Sequence, residues 1–314
     1  MVEKVSSVAR NTVRSLKAAG QKPLTKGSFS YEFFPPKTEA GIEKLATVAK
    51  GLSAHGPGFQ SVTFGTGDHG ASPAFLTART IEALQGTNIP TLSHLALAHE
   101  TRRDLTAYID ALVWNGAPSF LALRGDGEIG HPGDAFESVV DLVGTISERH
   151  GDGLSGGIGV ACYPETHPLA ASPEADLEAL LAKQNAGATY AIGQFCFDAE
   201  TWFDFVKRAR ATGITLDLYP GIMPIHDLER LKNFAKQCGA HVPQFVQDAF
   251  ECSNWQSPHD IAAGLLREQV AALAEGGVSH IHIYTLNKAD LAGIAADAFT
   301  NAVEAHAKAQ QQVA

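Results

Sequence analysis

Short apolar runs alternate with longer stretches of helical periodicity along nearly the whole chain. The first run, Ser28 to Lys37, reads Ser-Phe-Ser-Tyr-Glu-Phe-Phe-Pro-Pro-Lys. Alternating aromatic positions predict a strand, and Pro35-Pro36 must end it because neither residue can donate to a sheet ladder. Further strands are predicted over Phe59–Phe64, Thr91–Leu97, Ser119–Leu123, Ile158–Cys162, Tyr190–Phe195, Ile214–Tyr219 and Val278–Tyr284. Helical patterns fall between them. Over Gly41–Ala54 the residues Ile42, Leu45, Val48, Ala49 and Leu52 share one side. The others cover Pro73–Leu84, Arg102–Trp114, Asp134–Arg149, Pro173–Ala186, Thr201–Ala211, His226–Gln237, Asp260–Ala274 and Lys288–Ala305, with a loop through Val242 and Pro243.

Strands and crossovers follow one another without a linker, which favours a closed (β/α)₈ TIM barrel over an open doubly wound sheet. Residues 1–26 predict a short N-terminal helical extension and residues 27–310 a single barrel. Gly116, Gly187, Gly213 and Gly277 each fall between a helix and the next strand, where a helix cap needs a positive φ. No Gly-x-Gly-x-x-Gly follows the first strand and no Gly-Lys-Ser/Thr loop occurs, so a dinucleotide must bind in a non-Rossmann manner.

Charge narrows the partners. In 314 residues, 24 Lys and Arg stand against 34 Asp and Glu, a formal net charge of −10, with no basic cluster of the kind that tracks nucleic acid. An anionic cofactor stays compatible with this surface, because backbone N–H groups and one or two cations suffice to hold phosphates. Cys162, Cys196, Cys238 and Cys252 are scattered without zinc or redox spacing, which points to a reducing compartment. Neither a membrane span nor a secretion signal is legible, so a cytoplasmic location is expected.

In such a barrel the chemistry sits at the C-terminal ends of the strands. Unusual polar groups gather there: Glu32, Thr63, His94, Arg124-Gly125-Asp126, Tyr163, Glu165, His167, Gln194, Asp217 and Tyr284. Glu32 lies among Phe29, Tyr31, Phe33 and Phe34, where a carboxylate is costly unless paired or kept partly neutral. The residues alone leave two readings of it open, a local hydrogen bond at the mouth of the sheet or a catalytic acid. His280 and His282 share a face of the last strand but lack a third ligand, so they read as core histidines and no metal site is expected. Asp176 and Lys183, seven apart on one helix, share a face.

The motifs Phe33-Phe34-Pro35-Pro36, Arg124-Gly125-Asp126, Ala161-Cys162-Tyr163-Pro164-Glu165-Thr166-His167-Pro168, Gln194-Phe195-Cys196-Phe197-Asp198, Pro220-Gly221-Ile222-Met223-Pro224 and Tyr284-Thr285-Leu286-Asn287 occur in order. With them the chain closely resembles the bacterial-type methylenetetrahydrofolate reductases, catalytic domain only, from about Gly27 to the last helix. The resemblance implies a barrel holding FAD, which takes a hydride from NADH or NADPH and passes it to 5,10-methylenetetrahydrofolate, with ping-pong kinetics. It implies that Glu32 is the general acid to N10 of the folate. It implies that Asp126 is an aspartate near the flavin, where its charge favours hydride donation and stabilises a cationic folate. Thr63, His94, Arg124, Gly125, Asp126, Tyr163, His167, Asp176 and Lys183 match flavin-binding positions, and Glu32, Gln194, Leu228, Tyr284 and Lys288 match substrate positions. A homo-oligomer is expected by the same likeness.

Some positions depart from the family pattern. Gly193 and Cys196 replace a Thr and a Phe, Leu228 stands for a substrate-packing Phe, and Lys288 stands for an Arg. Phe64-Gly65-Thr66-Gly67 and Leu95-Ala96-Leu97-Ala98 also differ from the usual loops. These changes loosen the fit to the ordinary substrate and leave the acid and flavin positions intact. The second reading is a flavin-independent tetrahydrofolate or one-carbon enzyme on the same barrel, such as a demethylating relative. A yellow purified protein separates the two.

Overall fold

The computed structural model of the chain describes residues 29–65, 72–98, 100–125, 134–252 and 256–313. The expected N-terminal extension, residues 1–26, lies outside them, as does Asp126. Eight parallel strands close into a barrel in the order β1 to β8, each pairing with its sequence neighbours and β1 with β8. They are β1 (Phe29–Phe33), β2 (Phe59–Val62), β3 (Thr91–Ala96), β4 (Phe120–Leu123), β5 (Ile158–Cys162), β6 (Tyr190–Phe195), β7 (Asp217–Ile222) and β8 (Ile281–Tyr284). The crossovers are α1 (Glu39–Ser53), α2 (Pro73–Leu84), α3 (Arg102–Trp114), α4 (Val139–His150), α5 (Pro173–Asn185), α6 (Ala199–Ala211), α7 (Leu228–Cys238), α8 (Gln244–Cys252) and α9 (Pro258–Glu275), and α10 (Asp290–Val313) follows β8.

Alternation along the strands builds two separate interiors. Phe29, Tyr31 and Phe33 belong to the main core shared with the surrounding helices, together with Leu45, Leu52 and Phe299. Phe59, Leu92, Leu121, Tyr190 and Ile192 pack with one another inside the barrel. Glu32 therefore shares the inward face with Ser30. Helix starts follow side-chain chemistry: Thr38, Ser72, Thr101, Ser138, Ser172, Asp198, Asp227 and Ser257 each accept a hydrogen bond from a backbone N–H in the first turn of the next helix.

Three expectations about the elements need correction. The helix expected from Asp134 starts at Val139, because the Ser138 hydroxyl accepts from Asp141 N at 3.2 Å and fixes the cap there. The stretch after Val242 and Pro243 contains α8, whose Val246 packs in a small cluster with Met223, Ile225 and Leu231. Strand β7 begins at Asp217 and runs through Pro220 and Gly221 to Ile222. Asp217 is thus at the far end of the barrel from the rim. The proline is tolerated because β6 bulges opposite it: Ile192 pairs with Tyr219 and Phe195 with Gly221, so Gly193 and Gln194 together face Pro220.

The Gly193 departure has a steric basis. A Cβ there would lie 2.6 Å from the ring of Trp202, a side chain 1% exposed in the main core. Gly193→Thr should accordingly destabilise the chain by about 1–3 kcal/mol through overpacking, read from urea unfolding, and Trp202→Leu in the same chain should recover part of the loss.

Candidate active site

Glu32 is the only carboxylate among the described inward-facing strand residues of the barrel mouth, and its side chain is 17% exposed. Its Oε2 lies 3.3 Å from Nε2 of His282 and 3.5 Å from Nε2 of His94. Beneath it the polar contacts continue. His282 Nδ1 is 2.7 Å from Ser30 Oγ, and Ser30 Oγ is 3.0 Å from Nε2 of His280. His280 in turn stacks on Phe59 with ring centroids 5.2 Å apart and planes at 3°, and its centroid is 4.4 Å from that of Tyr219.

Burial decides the charges in this stack. It raises the Glu32 carboxyl above the usual carboxylate range, with His94 opposing the shift. It lowers His282 and His280 to about 3, and His94 to about 4 despite the attraction of Glu32. The three imidazoles are therefore uncharged near physiological pH, and burial favours the protonated form of the carboxyl they surround. Two polarities of hydrogen bonding serve the same heavy-atom positions. With Glu32 protonated, its hydroxyl donates to His282 Nε2 and His282 Nδ1–H donates to Ser30 Oγ. With Glu32 ionised, His282 Nε2–H donates to the carboxylate and the Ser30 hydroxyl donates to Nδ1. Either state of the acid is satisfied without a rearrangement of the barrel.

Backbone contacts fix the strand that carries the acid. Thr285 donates to the Glu32 carbonyl from its hydroxyl at 2.6 Å and from its N–H at 3.2 Å. Asn287 receives the Phe34 N–H at 3.0 Å and donates to the Phe34 carbonyl at 2.8 Å. Leu286 and Asn287 hold positive φ values of 51° and 55°, so the β8 loop carries backbone strain where it grips the end of β1.

Tyr284 leans across the barrel to β6, and its hydroxyl donates to the Gly193 carbonyl at 2.7 Å. Its ring crosses Gly221, where a Cβ would lie 2.6 Å from the ring. The bulge in β6, the missing side chain at Gly221 and the Tyr284 hydroxyl thus form one arrangement. Gln194 lies in the same bulge and its Oε1 accepts from the Phe195 N–H at 3.1 Å.

A second group of polar residues stands over β4 and β5. The Tyr163 and His167 rings meet edge to face at 4.5 Å. The His167 N–H donates to Asp176 Oδ2 at 2.9 Å, and His167 Nδ1 accepts from the Leu169 N–H at 3.0 Å. Neutral His167 therefore carries its proton on Nε2. Desolvation lowers its pKa, with Asp176 opposing and Lys183 and Arg124 adding to the shift, which places all four within electrostatic reach. Lys183 is similarly lowered by burial, and among the described residues its ammonium has one hydrogen-bond acceptor, the Ala161 carbonyl at 3.4 Å. A half-buried cation with so few partners suits contact with an anionic group. Gly125, at φ +80°, brings its backbone against Ala96 and Ala98, with 2.9 Å left between a Cβ and the Ala96 methyl. Thr63 closes this side through its carbonyl, which accepts from Thr77 Oγ1 at 3.2 Å.

The other expected positions lie around and below the mouth. His94 stands against Glu32 deep in β3, with 2% of it exposed. Glu165 turns outward, accepting from the His241 N–H at 2.9 Å. Leu228 begins α7 and Lys288 is exposed on the β8 loop. Sequence reasoning passed over Ser30, Thr285 and the contact of His282 with the acid. The alternation of β1 and β8 carried that signal, since Ser30 and Glu32 share a face, as do His280, His282 and Tyr284. Among the described residues no group of three or more His, Cys, Asp or Glu could hold a metal ion, and no helix is long and apolar enough to cross a membrane.

Comparison with known proteins places this site in context. The family model "Methylenetetrahydrofolate reductase" matches residues 18–297. The 5,10-methylenetetrahydrofolate reductase of Pectobacterium carotovorum is 35% identical over 266 residues, covering 83% of this chain and 86% of that one. The enzyme of the same name from Escherichia coli K12 is 32% identical over 268 residues, covering 83% and 87%. Methylenetetrahydrofolate reductase (NADH) 1 of Zea mays is 32% identical over 291 residues, 87% of this chain but 47% of its own length. A Clostridium thermocellum protein that binds two copies of 5-methyl-5,6,7,8-tetrahydrofolic acid has a similar fold, with a TM-score of 0.57 at 14% identity, over 92% of this chain and 98% of that one.

Proposed function

Because the chain belongs to the methylenetetrahydrofolate reductase family, we propose that it reduces 5,10-methylenetetrahydrofolate to 5-methyltetrahydrofolate with NADH or NADPH, in two half-reactions that share one bound FAD. The observation that carries this reading is Glu32, a partly exposed acid whose pKa is raised by burial at the barrel mouth.

When bound, FAD supplies a two-electron carrier between nicotinamide and folate. Lys183 and Arg124 would hold its anionic part, Gly125 would admit it closely, and Thr63, Tyr163, His167 and Asp176 would line the same side, with His94 beneath; the family likeness adds Asp126 to the set. Glu32 in its acid form donates a proton to N10 of the folate as the bond between N10 and the bridging methylene breaks, the bond's electron pair leaving with N10. The resulting 5-iminium cation is the hydride acceptor. His282 holds the Glu32 carboxyl in place in both protonation states, and Tyr284 and Gln194 border the space where folate and nicotinamide alternate.

Anaerobic titration tests the reading. A purified yellow protein should bleach on addition of NADH or NADPH and recover its oxidised absorbance on addition of methylenetetrahydrofolate. Failure to bleach, or a colourless protein that still turns over folate, overturns it. The pH dependence has a definite sign. Since the donor is the protonated form, the folate half-reaction should be fast below the raised pKa of Glu32 and fall as pH rises through it. A stopped-flow pH series on the two half-reactions separately checks this, with the decline confined to the folate step.

A further inference from the structure

The turn after β5, Tyr163 to His167, faces two ways. Tyr163 and His167 meet each other on the side proposed for the flavin, while Glu165 between them turns outward and its Oε2 accepts the His241 N–H at 2.9 Å. His241 belongs to the connection between α7 and α8. That connection touches the β5 loop a second time, because Gly239, at φ +69°, lies so close to Pro168 that a Cβ there would collide with the proline ring.

The turn itself is stiff. Thr166 holds a φ of +78°, a region that a β-branched residue rarely enters. Neighbours keep it there: Arg208 of α6 donates to the Pro164 carbonyl at 3.1 Å, and Asp176 accepts the His167 N–H at 2.9 Å. A turn gripped at both ends has little freedom to move one side without the other. Beyond Glu165, α7 and α8 pack in a small cluster of their own, where Leu231, Val242 and Val246 meet Phe195 and Met223, with Tyr284 at its edge. A unit resting on so small a core opens more readily than the main barrel, so one charge-assisted contact at its border shifts how much of it is docked.

We propose, resting on the flavin reading above, that Glu165 is a positioning residue: flavin seated against Tyr163 and His167 fixes the turn, and Glu165 then holds the α7–α8 unit docked at the edge of the mouth. The flavin would thus order a wall that it does not touch. Linkage makes the effect reciprocal, and a docked α7–α8 unit in turn favours bound flavin.

Hydrogen exchange of the full chain, read at the backbone amides of residues 239–247 with and without FAD, tests this. FAD should slow exchange there about tenfold in the unaltered chain, within the usual range for coupling between two sites. Glu165→Ala should bring that factor toward one while FAD still binds, and Glu165→Gln, whose amide oxygen still accepts the His241 N–H, should restore part of it. Thr166→Gly relaxes the turn without removing the carboxylate, so it should lower the factor at an unchanged melting temperature. A contact serving stability alone would lower the melting temperature in Glu165→Ala and leave the factor intact, which overturns the proposal. So does an unaltered chain that binds FAD with no change in exchange, and the flavin reading survives both results. Absence of FAD binding to the unaltered chain overturns that reading and the proposal together.

Discussion

Glu32→Gln is expected to leave flavin bound and reducible by nicotinamide while folate reduction falls by about 10²–10⁴-fold, the usual range for loss of a positioned general acid. Gln keeps the shape of the side chain, and its amide can still donate to His282 Nε2, so the barrel mouth should stay in place. What it cannot do is release a proton to the departing nitrogen. Stopped-flow absorbance of the two half-reactions distinguishes this outcome from general damage, and an unimpaired folate step removes Glu32 from the mechanism. Stability supplies an independent readout. A carboxyl whose pKa is raised on folding disfavours the native state increasingly as pH climbs from its unfolded value through its folded one. The variant should therefore match the parent in melting temperature at low pH and equal or exceed it near neutrality.

The second large effect is expected at Lys183. In the apo chain its ammonium sits in a poor environment, lowered in pKa by burial and offered a carbonyl at 3.4 Å. Lys183→Met replaces it with an apolar side chain of similar length, so the flavin-free protein should melt at the same temperature or higher. Flavin affinity should move the other way and drop about 10²-fold, since a buried charge-assisted contact is worth about 1.5–3 kcal/mol. Flavin content per chain after gel filtration and the melting curve of stripped protein report the two halves of the prediction. Parental flavin retention in the variant removes Lys183 from the binding site.

Much of this architecture was legible because the local signals agree with the global fold. The ranges Pro73–Leu84, Arg102–Trp114, Ile158–Cys162 and Tyr190–Phe195 match the structure from end to end, and each is bounded by a cap, a proline or a change of period. The Pro220 region was misread for an opposite reason. A proline ends a strand in isolation, and only the compensating bulge in β6, a feature of the neighbouring chain segment, lets β7 continue. Helix α8 escaped notice because it is short and follows Val242 and Pro243 in a stretch read as loop. At the site, Glu32 stood out through its charge among aromatic residues. Asp176 and Lys183 were marked by the family resemblance alone, since a charged pair on one helix face is ordinarily surface. Ser30 and His282 did not stand out, since a small hydroxyl and a neutral imidazole are ordinary core residues until their partners across β1 and β8 are known.

The layering beneath Glu32 also constrains timing. Ser30, His280 and His282 are at most 1% exposed, and Phe59 and Tyr219 cover the ring of His280, so water reaches the acid from the mouth alone. On the proposed function, that mouth is the space in which folate and nicotinamide would take turns. Glu32 can be recharged with a proton from solvent only in the interval after one occupant departs and before the next arrives. Under crowded substrate conditions the interval shortens, and proton supply competes with substrate capture for the same doorway. Inhibition at high substrate concentration, deepened in heavy water, would be the kinetic signature of that competition.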